Sequence, residues 1–213
     1  MALAACGGGR EAPKAQSDLD GVRGFLKNAF AGSGEQSYAG GGLCGDPALV
    51  GEVIGDVPGE GACGIENAVS LRMVSGVALS QPAVINCTTA RQLKTWVDRS
   101  AKPATKKLGK LAGLKVAASY ACRTRNHQAG ARISEHGKGN AIDISAFILQ
   151  DGTELTVLTD WGGGKRGKAL KKMHAEACGT FGTVLGPGSD GFHRDHIHLD
   201  VARHGNGPYC RPR

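Results

Sequence analysis

The chain has 213 residues, of which 40% are hydrophobic, enough for one domain of ordinary size with a sizeable core. Its formal charge is +7 and only 5% of residues are aromatic. With Lys and Arg thinly spread, no heptad pattern and no aromatic-rich RNA-binding signature, nucleic acid is excluded as the expected partner, whereas a polyanionic surface such as a cell wall suits this charge. No run approaches the roughly 20 apolar residues of a membrane-spanning helix.

Residues 1–40 read as a tether. Cys6 closes the tetrapeptide "LAAC" before three glycines, which resembles the lipobox of bacterial lipoprotein precursors. A lipid on Cys6 would hold the chain at a membrane, and Gly7 in place of Asp points to the outer one. The stretches "GGGREAPKAQS" and "AGSGEQSYAGGG" are flexible in composition. A short helix between them would place Leu19, Val22, Phe25, Leu26 and Phe30 roughly on one face. Setting Cys6 aside leaves six cysteines, an even number that suits three disulfides and an oxidising compartment such as the periplasm. Of the 15 pairings six cysteines allow, the expectation is the sequential set: Cys44–Cys63, Cys87–Cys122 and Cys178–Cys210.

The folded domain is expected over 41–213, opening near Leu43-Cys44. "TTARQLKTWVDRSA" predicts a helix capped by Thr89, with Leu93, Trp96 and Val97 inward. "GLKVAASYAC" reads as a strand. "NAIDISAFIL" reads as another, with Ile142, Ile144 and Ala146 opposite Ala141, Asp143 and Ser145. "KRGKALKKMHAEACGTFG" predicts a basic helix with Leu170, Met173 and Ala177 inward, stopped by Gly179, and "HIHLDVA" is a final strand. Strands and helices do not alternate as in a parallel βαβ sheet. The expected fold is therefore α+β, a small, mostly antiparallel sheet flanked by helices.

Two segments carry candidate chemistry. "FHRDHIHLD" packs three histidines and two aspartates into residues 192–200. Strand alternation sends Ile197, Leu199 and Val201 to the core and His196, His198 and Asp200 to the other face. In "SEHGKGNAIDI", His136 lies in a glycine-rich loop seven residues before Asp143. Gly137 and Gly139 would let that loop fold back. His136, Asp143 and one histidine of the His196/His198 pair then form a two-His, one-carboxylate site suited to zinc.

"SEHGKGNAIDI" resembles the SxHxxGxAxD signature of the Hedgehog/DD-peptidase metallopeptidase superfamily, and "DHIH" (Asp195 to His198) its second zinc-binding segment. Most of Cys44 to Cys210 resembles the bacterial extensin-like C-terminal domain family, through "CGIENAVSL", "VALSQPAVINC", "ASYACRTRN" and "FGTVLGPGSDGFHRDHIHLD". The resemblance implies Zn²⁺ bound by His136, Asp143 and His198. The general base is either Asp195 or His196, with alternation favouring His196. It also implies an arginine near the substrate, Arg123 or the neighbouring Arg125, suited to a peptide carboxylate. Ser134 and His193 lie within the matched segments and join the substrate-binding set. The implied activity is a monomeric, periplasmic zinc peptidase cleaving stem-peptide or cross-link bonds of peptidoglycan, as endopeptidase or carboxypeptidase. The alternatives are a non-catalytic wall-binding protein of the same fold and a metal-dependent hydrolase of another amide or ester.

Overall fold

The first strands form where turn chemistry allows them. β1 (Leu49–Pro58), β2 (Gly64–Val74) and β3 (Val77–Ile85) make an antiparallel meander. Ser75 and Gly76, with φ of 50° and 74°, supply the left-handed pair that a tight two-residue hairpin demands. Register shifts at Val50/Gly51, Val53/Gly55, Gly55/Val57 and Leu71/Met73 break the alternation of these strands, which is why the sequence does not announce them. This computed structural model describes residues 41–212 and, before them, Gly24 alone. Cys6, the tether and the rest of the helix expected around residues 19–30 lie outside the described residues.

The expected helix is present as α1 (Cys87–Trp96), continued by a π-helical turn over Val97–Ala101 and by α2 (Lys102–Thr105). Its cap is Asn86 and not Thr89: the Asn86 side chain accepts from the Thr89 amide at 2.9 Å. The Thr89 hydroxyl bonds instead to Gly139 O at 2.9 Å, tying the helix start to the His136 loop. β4 (Leu111–Ala118), β5 (Ala141–Leu149), β6 (Glu154–Thr156), α3 (Val157–Asp160), α4 (Gly164–Ala177), β7 (Thr183–Leu185), β8 (Ile197–Asp200) and β9 (Tyr209–Cys210) complete the chain order. The sheet runs β1-β2-β3-β4-β5-β8-β7-β9, with β6 also on β5. Only β3/β4 and β7/β9 are parallel, so the fold is α+β with a mixed, mostly antiparallel sheet. Among the described residues no helix is long and apolar enough to cross a membrane.

The core lies between the helices and one face of the sheet. Leu93, Trp96 and Val97, with Leu170, Met173 and Ala177 of α4, pack there with Ile197 and Leu199. β5 departs from simple alternation. Lys115 pairs with Ala146 but Val116 pairs with Ile144, so Ser145 is an extra, unpaired residue. A bulge reverses the facing of the residues beyond it. Ile142, Ile144, Phe147 and Leu149 therefore join the core, while Ala146, expected beside Ile142 and Ile144, is not among its members. Trp96 is fully buried, donates to Met173 O at 2.9 Å and meets Phe147 and Phe181 edge-on. Trp96→Ala is expected to cost about 3–5 kcal/mol, read as the urea midpoint of the variant.

Two expected disulfides are corrected. The pairs are Cys44–Cys87, Cys63–Cys122 and Cys178–Cys210, with Cα separations of 5.4, 5.6 and 6.0 Å. Only the last matches the sequential set. The turn at Leu43–Gly45 packs against α1, while the β1–β2 loop bearing Cys63 reaches the chain beyond β4. Lys and Arg are denser in the helical segments than an evenly thin spread would give. Residues 97–110 and 157–177, which contain α2, α3 and α4, hold ten Lys and Arg against three Asp and Glu.

Candidate metal centre

His136 stands in a 3₁₀ turn, Glu135–Lys138, between β4 and β5. Ser134 caps the turn, its hydroxyl accepting from the His136 amide at 3.4 Å, and Gly139 closes it at φ 64°. A Cβ on Gly139 would lie 2.4 Å from Ile65 Cδ1, so both the left-handed backbone and the packing require glycine. Asp143 and His198 come from adjacent antiparallel strands and sit directly opposite each other in the β5/β8 register. Because Ile197 and Leu199 face the core, His198 and Asp200 face away from it.

The three side chains converge. His136 Nε2 is 3.1 Å from Asp143 Oδ2 and 3.2 Å from His198 Nδ1, and His198 Nδ1 is 2.8 Å from Asp143 Oδ1. A tetrahedral zinc with bonds of about 2.0–2.1 Å spaces its donors by roughly 3.3 Å, close to this arrangement. The outer nitrogens are already committed. His136 Nδ1 donates to the Ser119 carbonyl at 2.6 Å, and His198 Nε2 lies 3.0 Å from Asp200 Oδ2. A carbonyl only accepts, so His136 Nδ1 carries its proton and Nε2 is the nitrogen that faces the Asp143 carboxylate. Two acceptors at 3.1 Å need a proton or a cation between them. The donor set fits a divalent metal such as zinc, and all three groups are buried.

Two more histidines flank these donors, each oriented by an aspartate. His196 Nδ1 is 2.8 Å from Asp195 Oδ1, and its Nε2 is 3.6 Å from Asp143 Oδ2. His193 Nδ1 is 2.7 Å from Asp190 Oδ1, and its ring lies 5.2 Å from that of His196 and 5.5 Å from that of His198. The Asp195 side chain is 63% exposed and that of His196 only 16%, so the aspartate stands outside and the imidazole inside.

Burial disfavours a charged His198, yet its hydrogen bonds to Asp143 and then Asp200 outweigh this and raise its pKa to about 9. Burial alone would raise Asp143, but the hydrogen-bonded His136 and His198 hold it far below the usual carboxylate range. At His193 burial dominates and lowers the value despite Asp190. A proton on His198 Nδ1 competes with a metal for the same nitrogen. In the metal-free protein the folded value of about 9 exceeds the ordinary 6.5, so between them the folded state holds more protons and loses stability as pH rises. Metal-free protein is expected to melt at progressively lower temperature across that window. The increment gained from added zinc should grow over the same range, because deprotonation frees the ligand. Melting curves with and without a chelator measure both.

A family model described as extensin-like protein C-terminus matches residues 48–211. The chain belongs to that family. No curated protein and no solved structure matches it.

In this extensin-like domain the three donors form one wall of a cavity of about 500 Å³. Arg123, Arg125, Ser134 and His193 all border it. Arg125 is partly engaged by the buried Glu135 at 3.4 Å, whereas the Arg123 guanidinium meets only the Thr124 carbonyl at 3.4 Å. The Ser134 hydroxyl is used by its capping role. Two contributors escape the sequence reading, the Ser119 carbonyl and Asp190, and a third, Asp200, is placed there on the polar face but given no role. Asp190 accepts from the amides of Phe192 (2.8 Å) and His193 (3.1 Å), a local turn that "DGFH" could have signalled. No sequence signal marks a backbone carbonyl such as that of Ser119.

Proposed function

We propose that this extensin-like domain is a zinc-dependent peptidoglycan peptidase of the periplasm, an endopeptidase or carboxypeptidase with a Hedgehog/DD-peptidase-like fold. The observation that carries the reading is the convergence of His136, Asp143 and His198 at donor distances beside an aspartate-oriented His196. Bound zinc would supply Lewis-acid polarisation of the scissile carbonyl and a lowered pKa for water.

The chain's own groups account for the proton. Asp195 accepts from His196 Nδ1, which leaves Nε2 as the basic nitrogen, facing the donors. His196 Nε2 takes the proton of the attacking water and returns it to the leaving amine. His193, held by Asp190 in the same tautomer, offers Nε2 as an acceptor for a substrate N–H. Arg123, the less engaged of the two arginines, suits a stem-peptide carboxylate through two parallel hydrogen bonds. Three disulfides agree with an oxidising compartment. A lipid on Cys6 would add an outer-membrane anchor to a monomeric enzyme.

The test is zinc content together with digestion of purified peptidoglycan. About one zinc per chain and new muropeptides are expected, and product masses name the bond cut. Bound zinc with an unchanged muropeptide profile would favour the wall-binding alternative. Failure to take up zinc without chelator present would sink the site assignment itself.

A further inference from the structure

Asp200 has no part in the chemistry above, yet it is only 3% exposed. Among the described residues its one ion-pair partner is His198. Its Oδ2 accepts from His198 Nε2 at 3.0 Å and its Oδ1 from the Ala202 amide at 2.9 Å. Two residues apart on one strand, Asp200 and His198 share a face. The backbone of Asp200 is held from both sides, by Ala141 of β5 and Thr183 of β7. The carboxylate is thus aimed by a paired central strand and not by a loop. His136, by contrast, is held from behind by a neutral carbonyl.

We propose that Asp200 is a positioning residue that fixes His198 as an Nδ1 ligand and supplies the charge that sets the strength of metal binding. This rests on the zinc reading above. A carboxylate only accepts, so Asp200 keeps the His198 proton on Nε2 and leaves Nδ1 for the metal. The two carboxylates, Asp143 facing the metal site and Asp200 behind His198, would balance a bound divalent cation and leave the buried centre without net charge. That balance matters because an uncompensated buried charge is costly.

The experiment measures zinc affinity by competition with a chromophoric chelator for the native chain, Asp200→Asn and Asp200→Ala. Ring-nitrogen NMR of ¹⁵N-labelled, zinc-loaded protein reports which His198 nitrogen binds. Asp200→Asn keeps the shape and an acceptor oxygen but loses the charge; it should weaken zinc about 10–100-fold with Nδ1 still bound. Asp200→Ala should weaken it further and mix the Nδ1 and Nε2 modes. If Asp200→Ala does not fold, Asp200→Asn decides the matter. Native affinity and unchanged Nδ1 binding in the folded variants would overturn the proposal, even if their metal-free melting temperatures fall, since that is the signature of a merely structural carboxylate. A native chain that binds no zinc would overturn the metal reading instead, a separate outcome.

Discussion

His198→Ala is expected to abolish zinc retention and, with it, all cleavage of peptidoglycan above the uncatalysed background. The imidazole it removes is the hub of the site, within 2.8 Å of Asp143, 3.2 Å of His136 and 3.0 Å of Asp200. Without it two carboxylates remain in a buried pocket with no imidazole between them, and a zinc site reduced to one histidine and one carboxylate lacks the three protein ligands of catalytic centres. The metal-free variant should also melt below native protein near neutral pH, since it forfeits the protonated His198 that both carboxylates hold. Metal analysis of dialysed protein and muropeptide chromatography make the measurement. Full zinc occupancy in His198→Ala would remove this residue from the ligand set.

The second large effect separates the two candidates for the base. His196→Ala is expected to retain zinc while kcat falls about 10²–10⁴-fold, the usual contribution of a positioned proton acceptor. Asp195→Ala should cost only about tenfold, as for partners that orient a working group from behind. The geometry gives the order: His196 faces Asp143 from 3.6 Å, whereas Asp195 touches the reverse side of the ring and is largely in solvent. Single-turnover rates on a defined muropeptide, with metal content measured in parallel, make the comparison. A larger loss in Asp195→Ala than in His196→Ala would move the base to the aspartate.

The site was more legible than the frame that holds it. Strand alternation alone separates His196, His198 and Asp200 from Ile197 and Leu199, and the structure keeps that separation. The glycines around His136 foretell a loop that folds back, which the contact at Gly139 requires. Three things were not legible. The meander of β1 to β3 is interrupted by register shifts, so its apolar positions hold to no period of two. The bulge at Ser145 reverses the second half of β5, and local sequence does not say where a partner strand will skip a residue. Cysteine pairing depends on which loops meet in space, so Cys63 finds Cys122 across 59 residues and passes over the nearer Cys44.

Asp143 and His198 face each other across the β5/β8 ladder as a register pair. One step of slippage between these strands would set Asp143 against Ile197 or Leu199 and turn a whole strand face over. A chain zipped out of step would therefore have nowhere to lodge a cation, and loading with metal would select the molecules whose two strands have paired correctly. An ion held there would act as an inspector of its own scaffold, locking in the alignment that brought its ligands together.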